Sequence, residues 1–192
     1  PRFGSAFQKE NEHAEPGFYR THFDRYDIAA EVTATDRVGL HQYTYASGGH
    51  AHVVLDLTYN IYHHPDKNVW TFVRVENDST VVGFRQTTGW GRTRLVHFAL
   101  RFDRPMLDFG YERGQELAYN GFYRRFDETH GFPEMAGRDL QAWFDFGTLD
   151  AGEALGIRVA LSGVSTAGAL ANLGEETPSM QFDRLRADAD AA

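Results

Sequence analysis

The chain lacks cysteine, long apolar runs and any excess of positive charge, and each absence narrows its function. Without cysteine among 192 residues, the protein forms no disulfide and no thiolate metal site, which leaves its cellular compartment open. No stretch reaches the roughly 18 apolar residues of a membrane-spanning helix, and the first residues hold no apolar signal core. A net charge of −8 repels phosphate backbones and anionic lipid. Composition therefore argues against nucleic acid and membrane as partners.

Aromatic residues are abundant. The chain has 15 Phe, 9 Tyr and 3 Trp, and its hydrophobic fraction of 42% fits one ordinary globular domain. Aromatic side chains suit the core of an all-β domain, which is where most of them are expected. Any that stay exposed offer flat apolar faces on which a sugar can stack.

The pattern of apolar residues predicts strands. Between residues 28 and 34 apolar residues occupy alternate positions, and after a short turn His41, Tyr43 and Tyr45 alternate with polar residues. This predicts a hairpin with an aromatic face. Further short strands are predicted at residues 51–59, 69–75, 80–86, 94–102, 116–126, 140–145 and 157–164. So many short strands in sequence predict an antiparallel β-sandwich.

The end of the chain changes from strand to helix periodicity. Ser165 or Thr166 can cap a short helix that ends at Gly174, and Thr177 with Pro178 is expected to start a second one. Two helices after an all-β body are typical of a connector. The sequence therefore predicts a sandwich over residues 1–164 and a helical linker over residues 165–192.

Five segments carry a resemblance to a known family. The stretch IAAEVTATDRVGLHQYTY from Ile28 to Tyr45 resembles the E-L-T-A-T-x-R-x-G-x-H-x-Y-T-F segment of the amino-terminal domain of glycoside hydrolase family 92, the calcium-dependent α-mannosidases. FQKENEHAEPGFY, VVLDLTY and GFRQTTGWG are similar to further segments of that domain, in the same order, with Lys9 where the family usually has His. The run from Val159 to Ala189 is similar to the last strand and linker helices that lead to the family's catalytic domain.

The resemblance implies a fold and a function. The fold would be a galactose-mutarotase-like supersandwich, and the chain would be the non-catalytic amino-terminal domain of an exo-acting α-mannosidase, an α-1,2-mannosidase. It would pack on an (α/α) barrel of the same polypeptide and shape the pocket for mannose-containing glycans. The alternative is a stand-alone carbohydrate-binding or protein-interaction module, which would have less need of a two-helix tail.

The resemblance also implies where the chemistry lies. In the family an acid, a base and the calcium ligands belong to the barrel, and hydrolysis inverts the anomeric configuration. No catalytic residue, metal ligand or cofactor is therefore expected in this chain, which would be a piece of a longer periplasmic or extracellular polypeptide and inactive alone. The carboxylates agree with this expectation, because Glu10, Glu12, Glu15, Glu175 and Glu176 are expected to be solvated surface charges.

Three residues near a Gly-Trp-Gly sequence are candidates for a sugar or domain contact. Trp90 lies between two glycines, and Arg85 and Arg92 flank it. Glycine neighbours let a backbone approach a ligand closely, and guanidinium groups donate hydrogen bonds to hydroxyl oxygens. The alternative is a core tryptophan for which the glycines make room.

Two pairs of histidines invite a metal hypothesis. His50 and His52 lie on one face of a strand, and His63 and His64 precede Pro65 in a loop. No carboxylate or third histidine has motif spacing with them, so a metal site is not predicted. Tyr62, His63 and His64 are instead interpreted as loop residues that face a sugar or another domain.

Overall fold

A computed structural model describes residues 3–60, 67–89, 91–113, 133–179 and 181–190. Over these residues the chain forms antiparallel strands, two short helices and a 3-10 turn at Lys9–Asn11, which confirms the predicted β-sandwich. The strands are β1 His13–Glu15, β2 Phe18–Phe23, β3 Ile28–Ala34, β4 Val38–Tyr45, β5 Gly49–Asp56, β6 Asn68–Asn77, β7 Thr80–Thr87, β8 Arg94–Phe102, β9 Asp108–Arg113, β10 Glu134–Gly137, β11 Leu140–Leu149 and β12 Glu153–Ser162. The helices are α1 Thr166–Glu176 and α2 Phe182–Asp190.

The described strands form a large sheet and a small sheet. The large sheet has the order β1-β2-β3-β4-β12-β8-β7-β6-β10, and the small sheet has the order β5-β11-β9. The late strand β12 lies in the middle of the large sheet, between β4 and β8. The tight β6–β7 hairpin turns at Asp78 and Ser79, between the strands predicted at residues 69–75 and 80–86.

The main core lies between the two sheets. Alternate residues of β11 point into it, including Leu140, Ala142 and Phe144, and all three are fully buried. Phe102 of the large sheet packs on Phe144 and Phe146, with ring centroids 5.4 and 4.9 Å apart. Tyr45 is buried in the same core, as the predicted aromatic face requires.

A second apolar cluster lies between the opposite face of the large sheet and the helices. Ala169 and Leu173 of α1 and Phe182 of α2 are buried there. They pack with sheet residues that include Val38, Leu40, Val82, Ala99 and Ala160. The helices thus add a third layer to the molecule and are docked on the sandwich along their length.

Polar contacts fix both helices in place. Glu176 of α1 accepts hydrogen bonds from the Thr35 hydroxyl and from the Arg37 backbone and guanidinium, all in the β3–β4 turn. Arg186 of α2 pairs with Glu15 at 2.6 Å, and its guanidinium lies 3.5 Å from the centre of the Phe18 ring. The expectation that Glu176 is a solvated charge is therefore wrong, because the docked helix buries its carboxylate against this turn.

Both faces of the large sheet are covered, by the small sheet on one side and by the helices on the other, so β3 buries residues on both of its faces. Ala30 is buried, and Thr33, a polar residue between the alternating apolar ones, is only 2% exposed. Its hydroxyl donates a 2.7 Å hydrogen bond to the backbone oxygen of Gly17 beneath α2. A polar side chain tolerates burial there because a backbone acceptor satisfies it.

Element boundaries differ from the prediction in places. Ser165 caps α1 as expected, accepting a 2.9 Å hydrogen bond from the Gly168 backbone, but α1 continues to Glu176 and α2 starts only at Phe182. Strands β1, β2, β9 and β10 were not predicted. The predicted strand at residues 116–126 lies outside the described residues.

Candidate functional site

Two loops that carry the candidate residues lie at the same end of the β6–β7 hairpin. Strands β6 and β7 are antiparallel, with Asn68 opposite Thr87, so the chain enters β6 beside the point where it leaves β7. The Thr88 backbone nitrogen donates a 2.9 Å hydrogen bond to the Lys67 oxygen and joins the two loops. The structure places Arg85 and Arg92 in this region. Trp90, Tyr62, His63 and His64 lie outside the described residues.

Arg85 is held by two asparagines. Its Nε and Nη2 donate to the Asn68 side-chain oxygen at 2.9 and 2.7 Å, and Nη2 also donates to the side-chain oxygen of Asn60. Burial lowers the pKa of Arg85, while the charge of Asp56 acts in the opposite direction. An arginine stays protonated at neutral pH even so, and it gives these two amides a permanent positive partner.

Asn68 connects this arginine to the rest of the sandwich. It is buried, its side-chain nitrogen donates a 2.9 Å hydrogen bond to the Leu57 oxygen, and its backbone oxygen accepts from Arg138 at 3.0 Å. Asn60 and Asn68 stand on either side of residues 61–66. Arg85 therefore ties together the entry and exit of the segment that contains Tyr62, His63 and His64.

The loop after β7 is shaped by glycine. Gly89 has a φ of +145°, a conformation that L side chains rarely adopt, and the Thr88 hydroxyl donates a 3.4 Å hydrogen bond to the Arg92 backbone oxygen. The Arg92 side chain is exposed. Of the two candidate arginines, Arg92 points to the surface, whereas Arg85 supports the loops from below.

Besides Asp56, three described carboxylates have a lowered pKa, and each of the three has a structural partner. Hydrogen bonding to Arg186 lowers the pKa of Glu15, and a hydrogen bond from the Asp150 backbone lowers that of Glu153. Burial would raise the pKa of Glu176, but hydrogen bonds from Thr35 and Arg37 lower it overall. A glycosidase acid requires a raised pKa so that it carries a proton at neutral pH. The pKa values of these three carboxylates are lowered instead.

One side-chain pair was missed from the sequence. His50 of β5 contacts the carboxylate of Asp145 on β11, and the His50 ring lies 6.2 Å from that of His52. The two partners are 95 residues apart, so no spacing rule connects them. Among the described residues no three His, Cys, Asp or Glu side chains converge as a metal site. No helix in the described part of the chain is long and apolar enough to cross a membrane.

Comparison with known proteins gives one family match. The family model described as the glycosyl hydrolase family 92 N-terminal domain matches residues 2–162. No curated protein matches the chain.

Solved structures give the same association. A family GH92 alpha-mannosidase from Bacteroides thetaiotaomicron is 29% identical with a TM-score of 0.83, and the match covers 97% of this chain and 24% of that one. A gh92 family glycosyl hydrolase is 25% identical with a TM-score of 0.79, at 97% and 24% coverage. The family GH92 inverting mannosidase from Bacteroides thetaiotaomicron VPI-5482, 22% identical with a TM-score of 0.78 at 97% and 23% coverage, shares the fold. The chain spans about a quarter of the length of these proteins.

Proposed function

The chain belongs to glycoside hydrolase family 92 as its N-terminal domain, and from this premise we propose that it is the non-catalytic β-sandwich of an exo-acting, inverting α-mannosidase. One observation carries the proposal: an α-mannosidase matches nearly the whole chain while the chain spans only a quarter of that enzyme. A domain in that relation to an enzyme contributes to a larger catalytic unit. This favours the mannosidase domain over a stand-alone binding module.

The partner we propose is an (α/α) barrel catalytic domain in the same polypeptide, with mannose-containing glycans as substrates. The two loops beside Lys67 and Thr88 are the proposed contact. Nearby, Trp70 and Leu95 are exposed, and both lie in register with Gln86 of the strand between them. Because neighbouring strands are about 4.8 Å apart, the two apolar side chains lie on one face of the sheet about 10 Å apart, with Gln86 between them. Exposed apolar side chains beside the loops suit contact with another domain.

Arg85 and Arg92 have different parts in this proposal. Arg92, exposed next to the Gly89 turn, is the proposed donor to a sugar hydroxyl or to the barrel, together with Trp90, Tyr62, His63 and His64. Arg85 acts through Asn60 and Asn68 by holding the loop ends in place. It is a positioning residue for this contact.

The catalytic acid, the base and calcium belong to the barrel in this proposal. The lowered pKa values of the carboxylates Glu15, Glu153 and Glu176 support this division, because a glycosidase acid needs a raised pKa. Calcium would help to bind the mannoside in the barrel, and nothing in this chain is assigned to hold it. The proposed compartment is periplasmic or extracellular.

An activity assay tests the proposal. The 192-residue chain and the longer polypeptide that carries it are each assayed on an aryl α-mannoside and on linked mannobioses, with calcium and with a chelator. We expect hydrolysis by the longer polypeptide alone and loss of that activity with the chelator. Hydrolysis by the 192-residue chain would place a catalytic pair in the sandwich and contradict the proposal.

A further inference from the structure

A cleft at the far end of β5 from Arg85 has the features of a ligand site. It has a volume of about 530 Å³ and lies between β5 and the part of the large sheet formed by β3 and β4. Its β5 residues run from Gly49 to Val54, whereas Asp56, near Arg85, ends that strand. The volume falls within the range of about 300–1,000 Å³ typical of small-molecule sites.

Aromatic rings form the walls of this cleft. Phe23, Tyr43 and Tyr45 line its inner part, and Phe3 and Tyr26 line its mouth. The two rings at the mouth are 42% and 39% exposed, respectively. The C–H face of a pyranose ring is apolar, so rings placed in this way can stack on a sugar and remove apolar surface from water.

Polar groups enter the same cleft. Arg25 lies over the Tyr26 ring, 5.2 Å from its centre, and its backbone nitrogen donates a 3.0 Å hydrogen bond to the Ser5 hydroxyl. His50 and His52 line the β5 side, and Asp145 partners His50. A guanidinium donates to hydroxyl oxygens, and an imidazole can donate or accept. Together these groups match the ring hydroxyls of a neutral sugar.

The cleft continues across β5. Phe3, His52 and Val54 also border a second depression of about 190 Å³ that is lined by Trp143 and Glu112. The two spaces share one wall and offer a second aromatic ring beyond the first. A ligand of two linked sugar units therefore fits the arrangement better than a monosaccharide.

We propose that this cleft is an accessory binding site for an α-mannoside of two or more units, separate from the loops assigned to the catalytic contact. One sugar ring stacks on Tyr26 and Phe3 while Arg25 and the two histidines bind its hydroxyls, and the next unit extends toward Trp143. The choice of a mannoside rests on the proposed function. The site would hold a glycan chain near the enzyme without taking part in hydrolysis.

Titration calorimetry of the 192-residue chain with an α-linked mannobiose tests this site. We expect saturable binding that is at least tenfold weaker in Tyr26→Ala. The matched control is Val164→Ala, which shortens an 86% exposed apolar side chain outside the cleft and away from the two loops and should leave the affinity unchanged within twofold. Arg25→Gln is the second test variant, used if Tyr26→Ala does not fold by circular dichroism.

Three results would overturn the inference: no saturable binding, equal binding by the test variant and the parent chain, or equal binding of a β-linked glucose disaccharide, which would remove the mannoside assignment. Failure here is distinguishable from failure of the proposed function. Hydrolysis by the longer polypeptide with no mannobiose binding by this chain would reject the accessory site and leave the mannosidase domain standing.

Discussion

Arg85 is a partly buried cation that joins the two ends of a segment to which it does not belong. Its guanidinium reaches both Asn60 and Asn68, which stand before and after residues 61–66. Lysine carries the same charge but lacks the planar fork that serves two acceptors at once. Replacing Arg85 with lysine would therefore keep the positive charge but lose the hydrogen bonds to two acceptors.

Arg85→Lys should reduce the free energy of unfolding by about 1–3 kcal/mol, because it leaves polar groups around Asn68 without partners. Urea denaturation followed by circular dichroism measures the change. Arg92→Lys is the control, since that side chain is exposed and a surface change is expected to stay within about 0.5 kcal/mol. Equal stability of the two variants would contradict the role of Arg85 in joining Asn60 to Asn68.

Glu176 should make part of the stability depend on pH. Its folded-state pKa is lowered from 4.5, so its contribution is present above that value and is lost as pH falls through the folded-state pKa. Glu176→Gln removes the charge and should cost about 1–2 kcal/mol near pH 7. The difference between the two proteins should shrink as pH falls below about 4.5.

Thermal unfolding of both proteins between pH 3 and 7 measures this effect. Glu175→Gln is the matched control, because Glu175 is the preceding carboxylate on the same helix and is exposed. A pH-independent difference between wild type and Glu176→Gln would show that the hydrogen bonds matter and the charge does not.

At the candidate site the sequence singles out residues, whereas their contacts come only from the structure. The glycines beside Trp90 predict either close approach of the backbone to a ligand or room for a core tryptophan, and the structure shows a positive φ at Gly89. The role of Arg85 depends on Asn60 and Asn68, 25 and 17 residues away, and no local pattern reveals such a contact. The His50–Asp145 pair was missed for the same reason.

At the scale of elements, α2 depends on a glycine in the β1–β2 turn. Gly17 has a φ of +76°, and a Cβ there would lie 2.7 Å from the Cβ of Ala189 and 2.8 Å from its backbone carbon. Side chains rarely approach so closely. The turn and the last turn of α2 therefore fit only while this position has no side chain.

Gly17→Ala should weaken the docking of α2, with faster amide hydrogen exchange over residues 182–190 than in wild type. Gly152→Ala separates backbone strain from the close contact with Ala189, because Gly152 has a similar φ of +79° but nothing lies within 4 Å of a Cβ at that position. The control carries only the backbone strain, about 1–2 kcal/mol. Equal exchange of α2 in both variants would show that the contact with Ala189 is unimportant.

The elements predicted well have strong local signals, and those missed lack them. Strand β4 alternates aromatic and polar residues, whereas β9 contains Gly110 and follows Pro105, which together are typical of a loop. Strand β1 has three residues, too few for a period to show. Thr33 is buried because α2 covers it, and α2 lies too far along the chain for the local sequence to predict this contact.

At the scale of the whole molecule, a boundary at residue 164 would separate the two helices from the face of the large sheet that they cover. Phe18, Val38, Leu40 and Val82 share one apolar cluster with α1 and α2. The family match also ends close to this point, at residue 162. A sandwich cut there exposes a contiguous apolar surface, which favours association.

A chain limited to residues 1–164 should therefore unfold at a lower temperature than the 192-residue chain and should self-associate. Light scattering across a concentration series and thermal unfolding measure both effects. A chain of residues 1–190, which keeps both helices, is the control and should match the full chain. A monomeric 1–164 chain of unchanged stability would show that the helices are only a connector.

The position of β12 sets the order in which the protein can fold. It pairs with β4, whose partner residues lie more than 100 positions earlier, and with β8 on its other side. The strands β1–β4 and β6–β8 come before β12 in the chain, so β12 can join these two groups only after residues 153–162 have been made. Contacts of such long sequence separation make folding slow, so closure of the large sheet through β12 is expected to be a late step.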